Sequence, residues 1–185
     1  MFHPKKVGFV GGFTLIELLV VIAIIGILSS VVLGSLNTAR AKGNDSAIKS
    51  NLNGVRTSAE IYFDDHQYKY LTSGTVVNGA CPDNATTNML ADSNIKNAIA
   101  AATTQSGGND DTTNNIYTNT YCYVSSTTWA MAIRLRTALD SETATDPVID
   151  GADAWCIDSS GQAKEYSYVV GDTVANAVDA THKCK

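Results

Sequence analysis

The pattern of apolar and polar positions divides the chain into three parts, of which the first is almost wholly apolar. From Phe13 to Asn37 the sequence carries a single charged residue, Glu17. About 20 consecutive apolar residues suffice to cross a bilayer as a helix, because a helix satisfies its own main-chain hydrogen bonds in lipid. The pattern therefore predicts a membrane-spanning segment at about residues 16–36.

A helical pattern continues beyond this apolar segment. Further apolar residues follow at intervals of three or four, which places them on one face of a helix. They are Ile48, Leu52, Val55, Ala59 and Tyr62 or Phe63. No proline lies between Pro4 and Pro82, so nothing forces a break. We expect one long helix over residues 13–65, apolar on all sides in its first half and amphipathic in its second.

Residues 66–185 have the composition of a small globular head. Residues 66–116 are rich in Thr, Asn, Gly, Ser and Asp, which favour turns and loops, and only 93–102 has the pattern of a short helix. Alternating and β-branched residues predict antiparallel strands within 117–170. The polar residues 171–185 form a predicted C-terminal tail. A helix followed by antiparallel strands places the chain in the α+β class.

Two strand predictions are specific. Thr127–Arg136 alternates, so that one face carries Trp129, Met131, Ile133 and Leu135 and the other carries Ala130 and Ala132. Ala154–Val170 predicts a hairpin that turns at Ser159-Ser160-Gly161. Trp129 and Trp155 are expected to be core residues or to pack on the sheet.

Charge and cysteine content narrow the class of protein. The net charge of −5 becomes −7 without Lys5 and Lys6, and such a chain is not expected to bind nucleic acid. The four cysteines match no zinc-site spacing. They are Cys81, Cys122, Cys156 and Cys184. An even number behind a membrane anchor predicts two disulfides in an oxidising compartment, and the sequence leaves three pairings open.

Candidate catalytic and metal-binding groups are few. Asp146, Asp150, Asp153 and Asp158 form an acidic cluster, but their spacing matches no EF-hand, and we interpret them as a solvated surface. No group of residues has the nucleophile and base that covalent catalysis needs. We predict neither an enzyme nor a metal or cofactor site.

A motif at the start of the apolar segment carries a family resemblance. Two lysines precede Gly12, Phe13 follows it, and Glu17 lies four residues further on, in the string GFTLIELLVVIAIIGIL. This pattern closely resembles the class III signal of type IV pilins and type II secretion pseudopilins. The resemblance covers about residues 5–60 and is most specific in its first thirty residues.

The resemblance implies a processing reaction. In that family a prepilin peptidase cuts after the glycine and N-methylates the new first residue. Applied to this chain, the family pattern makes residues 1–12 a leader that is removed. Cleavage then falls between Gly12 and Phe13, and Phe13 is N-methylated. A lone carboxylate costs about 2.5–3.5 kcal/mol in a membrane helix, so Glu17 needs a partner. The partner is the new α-amine at Phe13, either of the same subunit or of a neighbouring subunit. In the family this pairing sets the register of subunits in the filament.

The resemblance also implies a fold and a function. The fold is type IV pilin-like, with the long helix packed on a small antiparallel sheet. The protein is a single-pass inner-membrane protein until the pilus assembly machinery, with its cytoplasmic ATPase, polymerises it through the helix into an extracellular pilus. The pilus serves adhesion, motility or DNA uptake. Many pilins close a C-terminal loop with cysteines, which favours Cys156–Cys184 and leaves Cys81–Cys122.

Two other functions stay open. One is a type II secretion pseudopilin that forms a short periplasmic piston, although the polar head with four cysteines favours a pilus. The other is a signal-anchored enzyme or a membrane protein with a soluble binding domain that uses the helix only as a tether. A tether predicts that Glu17→Ala leaves function intact. Both filament functions predict that this substitution blocks assembly and leaves membrane insertion unharmed.

Overall fold

The computed structural model describes residues 12–108, 110–111, 116–117, 119–137, 153–167 and 172–185. The chain divides after Thr38 into two compact units, which are described separately below. The predicted leader, apart from Gly12, lies outside the described residues, as do the stretches 138–152 and 168–171 of the predicted sheet and tail.

Helix α1 spans Leu15–Asp65. It begins two residues after the predicted start, because Phe13 is not helical and Thr14 caps the first turn. In the first unit, every large apolar side chain from Phe13 to Leu36 is between 41% and 89% exposed. Among the described residues, α1 is the one helix long and apolar enough to cross a membrane, by length and composition.

In the second unit, the later part of α1 packs on the head through the predicted stripe. Ile48, Leu52, Val55 and Ala59 are fully buried, and Tyr62 is 8% exposed. The spacing of three and four residues explains this burial, because it keeps these side chains on one side of the helix.

The described part of the head contains one short α-helix, two 3₁₀ turns and seven strands. Helix α2 spans Ser93–Gln105, three residues longer than predicted, and Asp92 caps its first turn. The 3₁₀ turns are Met89–Ala91 and Val174–Ala177. The strands are β1 Val77–Gly79, β2 Asp110–Asp111, β3 Ile116–Tyr117, β4 Thr120–Val124, β5 Trp129–Arg134, β6 Ala154–Asp158 and β7 Ala163–Tyr166.

Five of these strands form one antiparallel sheet in the order β1-β4-β5-β6-β7, and β2 pairs with β3. The inner face of the sheet joins α1 and α2 in the main core, with Trp129, Met131 and Ile133 fully buried. The α+β class, with a long N-terminal helix and an antiparallel sheet, is confirmed.

The outer face of the sheet is covered by the C-terminal segment. Its central positions carry small side chains, Ala130, Ala132, Ala154 and Cys156, which leave room for this segment. Ala177, Val178 and Cys184 pack against them in a second apolar cluster. The predicted tail is therefore a packed layer of the head.

Two predictions for the head need correction. The loop predicted at 66–116 contains the edge strand β1, whose three residues are too few to show alternation in the sequence. Asp158 is not solvated. It is fully buried at the end of β6, because main-chain N–H groups of the following turn and of the tail surround its carboxylate.

Candidate processing and assembly site

Gly12 and Phe13 lie on exposed, non-helical main chain before α1. The Phe13 side chain is 89% exposed, and a Cβ added at Gly12 would meet nothing within 4 Å. Helical residues cannot extend into a protease cleft, whereas these two precede the helix. The bond that the motif marks for cleavage is therefore open to a protease.

Thr14 and Glu17 form a reciprocal capping box at the start of α1. The main-chain N–H of Glu17 donates to Thr14 Oγ1 at 3.3 Å, and Glu17 Oε2 accepts from the Thr14 N–H at 2.9 Å and from its hydroxyl at 2.7 Å. Such a box satisfies N–H groups that the first helical turn leaves unpaired. The sequence analysis missed the role of Thr14, although the T-x-x-E spacing before an apolar run signals it.

Glu17 is also the only charged residue between Phe13 and Ala39. Its carboxylate lies one turn from the position where cleavage after Gly12 would create a cationic amine. In the intact chain Thr14 supplies its hydrogen bonds, but no hydrogen bond neutralises a negative charge. The arrangement can therefore bind one further cation at Glu17.

Both disulfides follow the pairing that the resemblance favours. Cys81 joins Cys122 on β4, with Cα atoms 4.9 Å apart, and Cys156 on β6 joins Cys184, with Cα atoms 5.6 Å apart. The first attaches the segment after β1 to the sheet. The second attaches the C-terminal segment to its outer face.

Asp158 reinforces the second attachment. Its Oδ2 accepts from the Cys184 N–H at 2.9 Å, and its Oδ1 accepts from the N–H of Ser160 at 2.8 Å and of Gln162 at 3.2 Å. Burial alone would raise the pKa of Asp158, but the hydrogen bonds from Ser160, Cys184 and Gln162 hold this pKa below its usual value. The carboxylate is therefore ionised in the folded head at neutral pH.

Charged residues of α1 connect this helix to the head. Asp45 is 7% exposed and accepts hydrogen bonds from the main chain of Arg136 and Thr137 and from the Thr137 hydroxyl. Lys49 forms an ion pair with Glu165 on β7. Arg56 donates to the carbonyl oxygen of Gln162 at 2.9 Å.

No cluster of three or more metal-ligating side chains occurs within the described residues. Of the predicted acidic cluster, Asp146 and Asp150 lie outside the described residues, and Asp158 uses both carboxylate oxygens in hydrogen bonds to the head. Asp158 is thus a structural residue of the head.

Comparison with known proteins agrees with the N-terminal motif. Residues 10–33 match the family model of the prokaryotic N-terminal methylation motif. The type IV wide pilus major component PilA4 of Thermus thermophilus is 47% identical over 58 residues, which are 31% of this chain and 44% of that protein. The type IV major pilin protein PilA of Myxococcus xanthus is 39% identical over 64 residues, 35% of this chain and 27% of that protein.

These matches cover less than half the length of either curated relative, and no solved structure is significantly similar to the chain. The resemblance of the N-terminal third to type IV pilins is confirmed. Both relatives are pilus components by name, which agrees with a structural subunit and not with an enzyme.

Proposed function

We propose that this chain, whose N-terminal third is that of a type IV pilin, is the precursor of a structural pilus subunit. Prepilin peptidase removes residues 1–12 and methylates Phe13. Before assembly the subunit resides in the inner membrane, with about residues 16–36 across the bilayer and the head, residues 66–185, on the outer side of that membrane. The assembly machinery and its cytoplasmic ATPase then polymerise it through α1 into an extracellular filament for adhesion, motility or DNA uptake.

One observation carries this proposal. The bond between Gly12 and Phe13 precedes the exposed apolar segment of α1, in which Glu17 is the only charged residue up to Ala39. A plain membrane anchor could cap its first turn with an uncharged glutamine at this position, so it does not need the charge of Glu17, whose presence in lipid costs about 2.5–3.5 kcal/mol. A free amine at Phe13 neutralises it. Outside the bilayer the exposed apolar side chains must be buried away from water, and a bundle of identical helices can bury them.

Intact-mass measurement of the membrane-extracted protein tests the processing step. We expect the mass of residues 13–185 with one added methyl group and with four hydrogens fewer, for two disulfides. A mature chain that begins at Met1, or at any residue other than Phe13, contradicts the proposal. Electron microscopy and mass spectrometry of sheared surface filaments test whether the chain forms a pilus.

Two substitutions separate the capping role of Glu17 from its charge. Glu17→Gln keeps a carbonyl oxygen that accepts from Thr14, so the capping box remains, but it has no charge. Thr14→Ala removes the capping hydroxyl and keeps the charge. We expect Glu17→Gln to abolish filaments while the protein still inserts in the membrane, and Thr14→Ala to assemble. Normal filaments from Glu17→Gln would show that assembly does not need the charge of Glu17, and the absence of filaments from the wild-type chain would instead support a simple tether.

A further inference from the structure

A loop of the head presents an asparagine within an acceptor sequence for glycosylation. Residues 84–86, Asn-Ala-Thr, form the pattern N-x-[ST], in which the asparagine amide accepts a glycan when the middle residue is not proline. The sequence contains this pattern once more, as Asn-Asp-Ser at 44–46. The structure places the two copies in different settings, and this difference decides which of them can react.

Asn84 and Thr86 lie in an irregular surface loop. Residues 83–87 are neither helical nor part of a strand, and the side chains of Asn84 and Thr86 are both exposed. Within the described part of the chain, neither of these two side chains has a hydrogen-bond partner. A transferase can therefore reach the amide that reacts and the hydroxyl that completes the pattern without breaking any contact in the head.

The ends of this loop are fixed to the head. Before the loop, Cys81 forms a disulfide with Cys122, and the Cys81 N–H donates to Thr120 Oγ1 at 3.0 Å. After the loop, the carbonyl oxygen of Thr87 accepts from the Thr72 N–H at 2.9 Å. Because both ends are anchored, a bulky group added to the middle of the loop does not require the core to open.

The second copy of the pattern is built into helix α1. Asn44 is partly buried, and Asp45 is buried and accepts main-chain hydrogen bonds from the head. The Ser46 hydroxyl donates to the Lys42 carbonyl oxygen at 3.1 Å. A helical segment cannot lie extended in an enzyme cleft, so this copy is closed to a transferase once the head has folded.

The stretch of the head that contains the loop carries little charge. Between Lys69 and Asp92 the sequence has a single charged residue, Asp83. Val76, in the same stretch, has a side chain that is 49% exposed. Soluble surfaces normally depend on interspersed charged side chains. A glycan on this stretch supplies polar, solvated groups where the sequence supplies few charges.

We propose that Asn84 is the attachment site of an N-linked glycan. The inference goes beyond the proposed function and uses one part of it, the position of the head on the outer side of the membrane. The donor is an oligosaccharide carried on a polyprenyl diphosphate. Asn84 Nδ2 attacks the anomeric carbon of the first sugar, the bond from that carbon to the diphosphate oxygen breaks, and a base of the transferase takes one amide proton. The polyprenyl diphosphate is the leaving group, and no oxidant or reductant is needed.

Peptide mass mapping of the protein purified from the cells that produce it tests the site. After reduction of the disulfides, trypsin separates the two copies of the pattern into peptides 43–49 and 70–96. We expect peptide 70–96 to carry an added oligosaccharide mass, which electron-transfer fragmentation locates on Asn84, and peptide 43–49 to carry none. An unmodified peptide 70–96, or a glycan on peptide 43–49 instead, would overturn the inference.

Substitutions within the loop test how the glycan is linked. Asn84→Gln and Thr86→Ala should each lose the added mass, whereas Thr86→Ser keeps the hydroxyl and should retain it. Thr87→Ala, one residue beyond the pattern, is the matched control and should also retain the mass. An added mass that persists in Asn84→Gln would place the sugar on a hydroxyl group and contradict the N-linkage. Both disulfides in each variant confirm that the head has folded.

The two proposals fail in different ways. Intact mass of the same sample exceeds that of the processed chain by the mass of the glycan, so the first residue and the glycan are reported independently. A chain that begins at Phe13, with both disulfides and no glycan, refutes the glycan and leaves the pilus function standing. A glycosylated chain that still begins at Met1 refutes the processing step and supports the glycan on Asn84.

Discussion

Asp158, at the end of β6, accepts a hydrogen bond at 2.9 Å from the main-chain N–H of Cys184, beside the disulfide that joins Cys184 to Cys156. The other oxygen of this buried carboxylate closes the turn between β6 and β7 through Ser160 and Gln162. A single side chain therefore holds the hairpin and the C-terminal segment in place. That segment covers the outer face of the sheet.

Asp158→Asn should destabilise the head. The substitution keeps one acceptor oxygen and replaces the other by an NH₂ group, so at least one buried N–H loses its partner, which costs about 1–3 kcal/mol. Urea unfolding of the detergent-solubilised protein measures the loss, since both tryptophans, Trp129 and Trp155, belong to the head and report on it by fluorescence.

Asp179→Asn is the matched control. Asp179 accepts from Thr181 and Lys183 in a similar way, but all of these contacts are local to one exposed turn. We expect its urea midpoint to move less than that of Asp158→Asn. An equal or larger shift of the urea midpoint for Asp179→Asn would show that the hydrogen bond from Cys184 to Asp158 does not add to the stability of the head.

The contribution of Asp158 should depend on pH. Its folded-state pKa is lowered from the usual 3.8, so its stabilisation is fully present above that value and disappears as the pH falls through the lower folded-state pKa. The difference in urea midpoint between wild type and Asp158→Asn should therefore be constant from about pH 7 to pH 5 and shrink below about pH 4. A difference that grows on acidification would contradict this assignment.

The sequence predicts the elements of this protein that repeat a simple pattern. The stripe from Ile48 to Tyr62 follows from burial on one side of a helix. The alternation of large and small side chains in β5 follows from the different neighbours of the two faces of the sheet, and both patterns are visible in a single sequence. The motif around Gly12 and Glu17 is local as well. These features do not depend on which distant segments meet.

The features that the sequence does not reveal depend on contacts between distant segments or on hydrogen bonds to the main chain. Strand β1 pairs with β4, about 45 residues away, and its three residues show no pattern of their own. Asp158 belongs to a polar stretch, but N–H groups of its turn and of Cys184 make its burial possible. The contacts of Lys49 and Arg56 with the β6–β7 hairpin are hidden in the same way, because both residues count as surface charges until the hairpin is in place.

Asp45→Ala should weaken the attachment of α1 to the head. The N–H groups of Arg136 and Thr137 lose their common acceptor in a half-buried setting, for an expected loss of about 1–3 kcal/mol in the free energy of unfolding. The tryptophan fluorescence assay measures it. Ser46→Ala is the control, because its hydroxyl bonds only to Lys42 on the same helix. Equal effects from both substitutions would mean that Asp45 acts only through helix propensity.

The two disulfides should protect different regions. Cys156→Ser with Cys184→Ser opens a loop of 28 residues, and Cys81→Ser with Cys122→Ser one of 41. Each removal should cost about 2–4 kcal/mol, mainly because the unfolded chain gains freedom. The two variants therefore lose a similar free energy of unfolding. A measurement that reports on individual segments is needed to distinguish the roles of the two disulfides.

Hydrogen exchange followed by mass spectrometry supplies that measurement. Without the Cys156–Cys184 bond, amides of residues 172–185 should exchange faster, because only non-covalent contacts, among them the Asp158 hydrogen bond and the packing of Ala177 and Val178, then hold this segment on the sheet. Without the Cys81–Cys122 bond, the acceleration should fall on β1, which is a short edge strand. If either variant loosened both regions equally, the head would open as one cooperative unit, and the separate anchoring of the C-terminal segment would be refuted.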